Sequence, residues 1–331
     1  MRRRRDKLHL IIVDVGDLGK VVAMYRTFFL TLSRSEAFKK LLVTLPWTKK
    51  VVKHFVAGDT WVDARGAIES LINKGLKATV DFLGEDVHTS AQAEATVEEY
   101  LSILNHIQQE GWADSVEVSV KLTAIGLLLR DGEQLATANA SRIACKAQEI
   151  GTTITIDMED LQTTTKTIRI TQALRQQYPG VGCVLQANLK RTEMDCKAVD
   201  APGSRVRLCK GAYRVPAEAA YIDRHDVDLS YVRCLKILME GEGIPLVATH
   251  DPVMIEIAQE LAAHSNRGLK NFEFQMLYGI RTVEQERLAD LGHVVRVYVP
   301  YGRDWYSYFV RRLAERPANF LFFLRALIGM R

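Results

Sequence analysis

The sequence predicts an α/β protein: a (β/α)8 barrel of TIM type preceded by an N-terminal helical arm. Two observations carry this. Eight short β-branched runs recur from residue 77 onward, and between them lie stretches with helical spacing and good helix formers. Such alternation gives parallel βαβ units, and eight units is the number that closes a barrel. An open doubly wound sheet usually has fewer, and no GxGxxG follows the first run. The 331 residues would suit about two ordinary domains or one large barrel of about 250 residues. No Pro/Gly/Ser-rich linker divides the chain, so we expect an arm over 1–62 and a barrel over 63–331 that includes the C-terminal helices.

In the arm, VVAMYRTFFLTL and SEAFKKLLVTL place apolar residues three and four apart, with Ser35 as a candidate N-cap. The strand candidates are KATVDF (77–82), VEVSVKL (116–122), TITIDM (153–158), GCVLQA (182–187), RVRLCK (205–210), PLVATH (245–250), FEFQML (272–277) and VVRVYV (294–299). Helical texture separates them, as in AEATVEEYLSILNHIQQEG and PVMIEIAQELAAHS. The final NFLFFLRALIGMR reads as an apolar helix that caps the barrel or covers a subunit contact, with a helix lying on a membrane as the alternative.

Composition narrows the function classes. The chain is 47% hydrophobic and 25% charged, ordinary globular values. The net charge of +4 equals the contribution of Arg2, Arg3, Arg4 and Arg5, so the rest balances and no basic face for nucleic acid is indicated. Five scattered cysteines without a CxxC pair suggest reduced thiols rather than disulfides or a zinc site. The basic start resembles an export signal only briefly, because Asp14 and Asp17 interrupt the apolar run. We expect a cytoplasmic protein without a membrane span.

The chemistry is expected where apolar runs end in polar groups. Asp81 and Glu85 follow the first run, Lys121 the second, Asp157 and Glu159 the third, and Gln186 the fourth. Arg207 lies inside the fifth run and Lys210 ends it; Thr249 and His250 end the sixth. Glu273 and Gln275 lie in the seventh and Tyr298 in the eighth. Core strands do not bury charge without a partner or a function, and the C-terminal rim of such a barrel is where active sites assemble. Blander readings exist: Lys121 and Asp157 could be an ion pair plugging the barrel, and His250 a core histidine. Arg311, Arg312 and Glu315 could form a solvated helix face, although Arg-before-Glu is the weaker order for the helix dipole.

Lys121, Arg207, Lys210, Arg311 and Arg312 make the mouth cation-rich, suited to a carboxylate or a phosphorylated cofactor. Two enzyme classes fit: oxidation of a small carboxylate with a nucleotide cofactor, or an aldolase-type barrel using Lys121 or Lys210 as a Schiff-base amine. A non-catalytic binding barrel is the third alternative.

Read in order, SVKLTAIG (119–126), TITIDMED (153–160), VLQANLKRT (184–192), RVRLCKGAY (205–213), VATHD (247–251), FEFQMLYGI (272–280) and VRVYVPYGRDWYSYFVRRLAERPAN (295–319) resemble the proline dehydrogenase family. FVAGDT and LGEDV extend the likeness toward the arm. The chain is similar to the short monofunctional bacterial form, without the aldehyde dehydrogenase half of the bifunctional fusions. The resemblance implies a distorted barrel with non-covalent FAD. It also implies oxidation of L-proline to 1-pyrroline-5-carboxylate by hydride transfer from C5 to flavin N5, with electrons passed to a membrane quinone at the inner face of the membrane. A separate 1-pyrroline-5-carboxylate dehydrogenase would take the product.

By the same resemblance, Lys121, Arg311 and Arg312 clamp the substrate carboxylate, and Tyr298 and Leu277 wall its pocket. Asp157 is the active-site acid and Arg207 stands beside the flavin. Met158, Gln186, Lys210, Gly211, Ala212, Thr249, His250 and Gln275 match flavin-binding positions, and Glu315 pairs with the arginines. Asn188 departs from the pattern, which has an aromatic after Gln-Ala.

Overall fold

A computed structural model of the chain describes residues 52–84, 87–213 and 215–315. The expected helices before residue 52, Glu85 and the last apolar helix lie outside the described residues, as does the side chain of Glu315. The chain divides into two compact units, Val52–Trp305 and a second made of Met1–Val51 with Tyr306–Arg331.

The first unit opens with α1 (Trp61–Ile72), whose Thr60–Asp63 capping box satisfies its first amides. Eight strands follow: β1 (Lys77–Phe82), β2 (Val116–Val120), β3 (Ile154–Ile156), β4 (Gly182–Gln186), β5 (Arg205–Cys209), β6 (Ile244–Ala248), β7 (Glu273–Leu277) and β8 (Val294–Tyr301). All pairs are parallel and β8 returns to β1, closing the barrel. The helices between them are α2 (Ser90–Gln109), α3 (Gly132–Glu149), α4 (Thr164–Arg175), α5 (Thr192–Val199), α6 (Arg224–Glu240), α7 (Pro252–His264) and α8 (Thr282–Asp290). After β8 comes α9 (Trp305–Glu315), which from Tyr306 onward belongs to the second unit.

The strands fold this way because their two faces differ. Successive side chains on a strand point to opposite sides. Ala78 and Val80, Val116, Val118 and Val120, and Val295, Val297 and Val299 are fully buried in the apolar core. The alternate positions are polar: Thr79 and Asp81, Glu117 and Ser119, Arg205 and Arg207, Glu273 and Gln275, Arg296 and Tyr298. These groups bond to one another across strands that are not neighbours, for instance Arg205 to both Glu117 and Glu273, so they share the barrel lumen. Barrel interiors are usually filled by branched aliphatics; this one is filled by charge.

The lower lumen is an ion-pair network. Glu117 accepts the Thr79 hydroxyl at 2.9 Å, the Thr155 hydroxyl at 3.2 Å and Arg205 Nη2 at 2.9 Å. Arg296 Nε reaches Glu273 at 2.8 Å, and its Nη1 donates to the Ala78 carbonyl at 3.0 Å. Burial alone would raise the Glu273 carboxyl, but Arg296 and Arg205 outweigh it and hold the group at about 2. Gly182 on β4 lets that strand pass close to β3: a Cβ there would come within 2.7 Å of the Thr155 hydroxyl.

Candidate active site

Above that network the lumen holds a second cluster, toward the C-terminal ends of the strands. Asp157, the residue after β3, receives three donors. Its Oδ1 accepts Ser119 Oγ at 2.8 Å and Arg207 Nη1 at 2.9 Å, and its Oδ2 accepts the Tyr298 hydroxyl at 2.8 Å. Arg207 is pinned further by Gln275, whose Oε1 accepts Nε, and its guanidinium stands 5.3 Å from the Tyr298 ring centre. Burial and the nearby Asp157 and Asp81 carboxylates hold the Tyr298 phenol well above its ordinary range, so it serves as a donor.

Lys121 follows β2 and points to β1: its Nζ lies 2.6 Å from Asp81 Oδ1, with both side chains buried. The blander alternative, a Lys121–Asp157 ion pair plugging the barrel, is not the pairing that forms. Lys121 pairs with Asp81, and Asp157 with Arg207. Burial lifts the Asp81 carboxyl to about 6, with Lys121 opposing and Asp157 adding to the rise.

Several of the remaining residues selected from the sequence stand at or just past the C-terminal ends of their strands. Met158 is buried beside Asp157 in the chain. Gln186 ends β4, donating to the Glu159 carbonyl at 2.7 Å. Lys210 follows β5 between Asp228, at 2.5 Å, and Asp251, at 2.9 Å. The following Gly211 has φ +102°, and a Cβ there would fall 2.1 Å from Asn188 Oδ1, so only glycine lets these two segments meet. Thr249 and His250 follow β6; Thr249 Oγ1 accepts the Asp251 amide at 3.1 Å and His250 Nε2 accepts the Leu277 amide at 2.9 Å. Gln275 spends its amide inside the lumen, donating to Glu273 at 2.5 Å and accepting from Arg207.

Arg311, Arg312 and Glu315 lie on α9, where the Arg312 guanidinium stacks 5.1 Å from the Tyr308 ring centre within its own unit. Among the described residues no group of histidines, cysteines and carboxylates could hold a metal ion. None of their helices is long and apolar enough to cross a membrane.

The expectations missed Glu117, Ser119, Arg205 and Arg296. Their signal was present: polar residues alternate with aliphatic ones in VEVSV, RVRLC and VRVYV, a pattern foreign to a parallel strand buried on two apolar faces.

Fold and lumen together define a (β/α)8 barrel with a buried charged cluster beneath its C-terminal rim, the architecture of a barrel enzyme. The family model described as Proline dehydrogenase matches residues 64–324. Proline dehydrogenase 1 of Bacillus subtilis subsp. natto is 39% identical over 305 residues, 92% of this chain and 99% of that protein. The proline dehydrogenase of Deinococcus radiodurans is 35% identical over 308 residues, 92% and 98% of the two chains. Among solved structures, proline utilization A (PutA) of Bdellovibrio bacteriovorus, inactivated by N-propargylglycine, shares the fold with a TM-score of 0.77 at 21% identity. That match covers 91% of this chain and 37% of the PutA chain. The chain belongs to the proline dehydrogenase family.

Proposed function

We propose that this protein oxidises L-proline to 1-pyrroline-5-carboxylate with non-covalently bound FAD and a membrane quinone as electron acceptor, the first step of proline catabolism. A separate 1-pyrroline-5-carboxylate dehydrogenase would consume the product. The observation that carries this reading is the buried Asp157–Arg207–Tyr298 cluster in a chain of this family. The Schiff-base alternative lacks such support: the nitrogens of Lys121 and Lys210 are both engaged by carboxylates, whereas imine formation needs a free amine.

The rim residues fit a flavin. Gln186 Oε1 and Asn188 Oδ1 are buried without a hydrogen-bond partner among the described residues. Such unmet capacity matches a planar group with a polar edge. Met158, Gln186, Arg207, Lys210, Gly211, Ala212, Thr249, His250 and Gln275 would hold it; Glu315 joins them on the sequence resemblance alone. Bound FAD supplies the acceptor for the hydride leaving proline C5.

The protein's share is placement. For the substrate carboxylate we keep the assignment that sequence resemblance gives, Lys121 with Arg311 and Arg312. Tyr298 and Leu277 wall the pyrrolidine ring, and the Tyr298 phenol fills the space where a C4 hydroxyl would go. Arg207, fixed by four neighbours, presents a positive charge that needs no reorganisation as electron density arrives.

Purified protein is expected to be yellow, to release FAD on denaturation, and to reduce a quinone when given L-proline. Colourless protein that takes up no FAD would sink the reading, and borohydride trapping of a substrate on Lys121 or Lys210 would replace it with the aldolase. Arg311→Met and Arg312→Met are each expected to raise KM for proline about ten- to a hundredfold, the loss of one charge-assisted bond. Initial-rate kinetics check this, and an unchanged KM in both variants removes the pair from the site.

A further inference from the structure

Ser119 is the penultimate residue of β2, wholly buried, and its hydroxyl bridges the two charged groups at the centre of the upper cluster. Oγ donates to Asp157 Oδ1 at 2.8 Å and accepts Arg207 Nη1 at 3.0 Å. Arg207 Nη1 reaches the same Oδ1 at 2.9 Å, so the three atoms close a triangle. The other acceptor within range, the Thr155 carbonyl, is farther at 3.4 Å, which directs the hydroxyl proton to Asp157. A carboxylate and a guanidinium joined by one bond can swing about it; a third group bonded to both removes that freedom. What the triangle fixes is the second oxygen of Asp157, and that oxygen holds the Tyr298 hydroxyl at 2.8 Å.

We propose that Ser119 is a positioning residue for substrate selectivity: through Asp157 it fixes where the Tyr298 ring stands, and so the room beside the substrate ring. The inference rests on the proposed function, in which Tyr298 faces that ring. Ser119 itself touches no substrate. Its removal leaves Arg207 held by Gln275 and Glu117 but frees the Asp157 carboxylate to turn, and the phenol moves with it. The effect belongs to the ratio between two substrates, because both need the flavin and the carboxylate clamp equally while only one carries a group at C4.

The test is a double-mutant cycle read as selectivity. kcat/KM for L-proline and for 4-hydroxy-L-proline is measured in wild type, Ser119→Ala, Tyr298→Phe and the double variant, with melting temperatures alongside. Tyr298→Phe cuts the bond to Asp157 directly. Each single variant is expected to narrow the preference for proline by about five- to tenfold, within what pocket shape usually supplies. In the Tyr298→Phe background, Ser119→Ala is expected to add less than about twofold, because linked residues are not additive. Ser119→Cys, which keeps a donor at the same branch point but a weaker one, should move the ratio the same way by less and covers the case in which the alanine variant fails to fold. An unchanged ratio in Ser119→Ala and Ser119→Cys, or fully additive effects with Tyr298→Phe, overturns the role even if the melting temperature drops. Wild type that turns over no proline overturns the functional reading and this inference with it, whereas active wild type with an unmoved ratio overturns only the role of Ser119.

Discussion

Lys121→Met is expected to lose about 3–5 kcal/mol of stability at pH 8, the cost of leaving one partner of a buried ion pair alone. The partner is Asp81, 2.6 Å away and fully enclosed. Burial already lifts this carboxyl to about 6 against an ordinary 3.8, even with Lys121 opposing the rise. A raised folded value means the native state binds the proton more tightly than the unfolded chain. The group's contribution is then complete below about 3.8 and is lost as pH rises through about 6. Without Lys121 the folded value climbs further and the loss extends to higher pH. The variant should therefore approach wild-type stability near pH 5 and fall away toward pH 8. Adding Asp81→Asn should return most of the loss at pH 8. Urea unfolding of the three variants at both pH values checks this, and a deficit equal at pH 5 and pH 8 would show that charge at Asp81 is not its source.

Arg296→Met should cost a similar about 3–5 kcal/mol at pH 7, with the opposite dependence on acid in the wild type. Arg296 binds Glu273 at 2.8 Å and lies 3.8 Å from Glu117, and both carboxylates are buried. Glu273 sits at about 2 although burial alone would raise it, because Arg296 and Arg205 are beside it. A depressed folded value stabilises above the ordinary 4.5 and is lost as pH falls through about 2, which amounts to roughly 3 kcal/mol for this carboxyl. With Arg296 gone, of the two arginines only Arg205 still opposes the protonation of Glu273, so the variant has less to lose in acid. The stability gap between wild type and variant is expected to shrink from pH 7 to pH 3. A gap that stays constant would mean Arg296 acts by packing its long side chain, not by charge.

The barrel was legible because strand and helix periodicities differ and recur in strict alternation from residue 77 onward. The polar strand ends were legible as well: Lys121, Asp157, Gln186, Lys210 and Thr249 all stand at or just past the ends of their strands. Who pairs with whom was not. β2 neighbours both β1 and β3, so a lysine just after β2 can turn to Asp81 or to Asp157, and only the stagger between strands decides. The lumen was missed for a different reason. Attention to the C-terminal strand ends hides residues earlier in the strands, and Glu117, Ser119, Arg205 and Arg296 look like interruptions of a core strand until the alternation is read as one face. The closeness of Gly211 to Asn188 depends on two loops separated along the chain, which no local pattern reveals.

The carboxylates of Asp81, Glu117, Asp157 and Glu273 are matched within the described lumen by Lys121, Arg205, Arg207 and Arg296. A barrel of the same shape filled with leucine and valine would be the more robust object, since well-packed apolar side chains often replace buried ion pairs at a gain of about 1–4 kcal/mol. Such a barrel would present no oriented field to anything entering its mouth. Here the solvent that would otherwise have to turn around a reacting molecule has been replaced, at folding, by dipoles and charges that cannot turn. A thermostabilised version obtained by greasing the lumen should therefore come out rigid, long-lived and chemically mute.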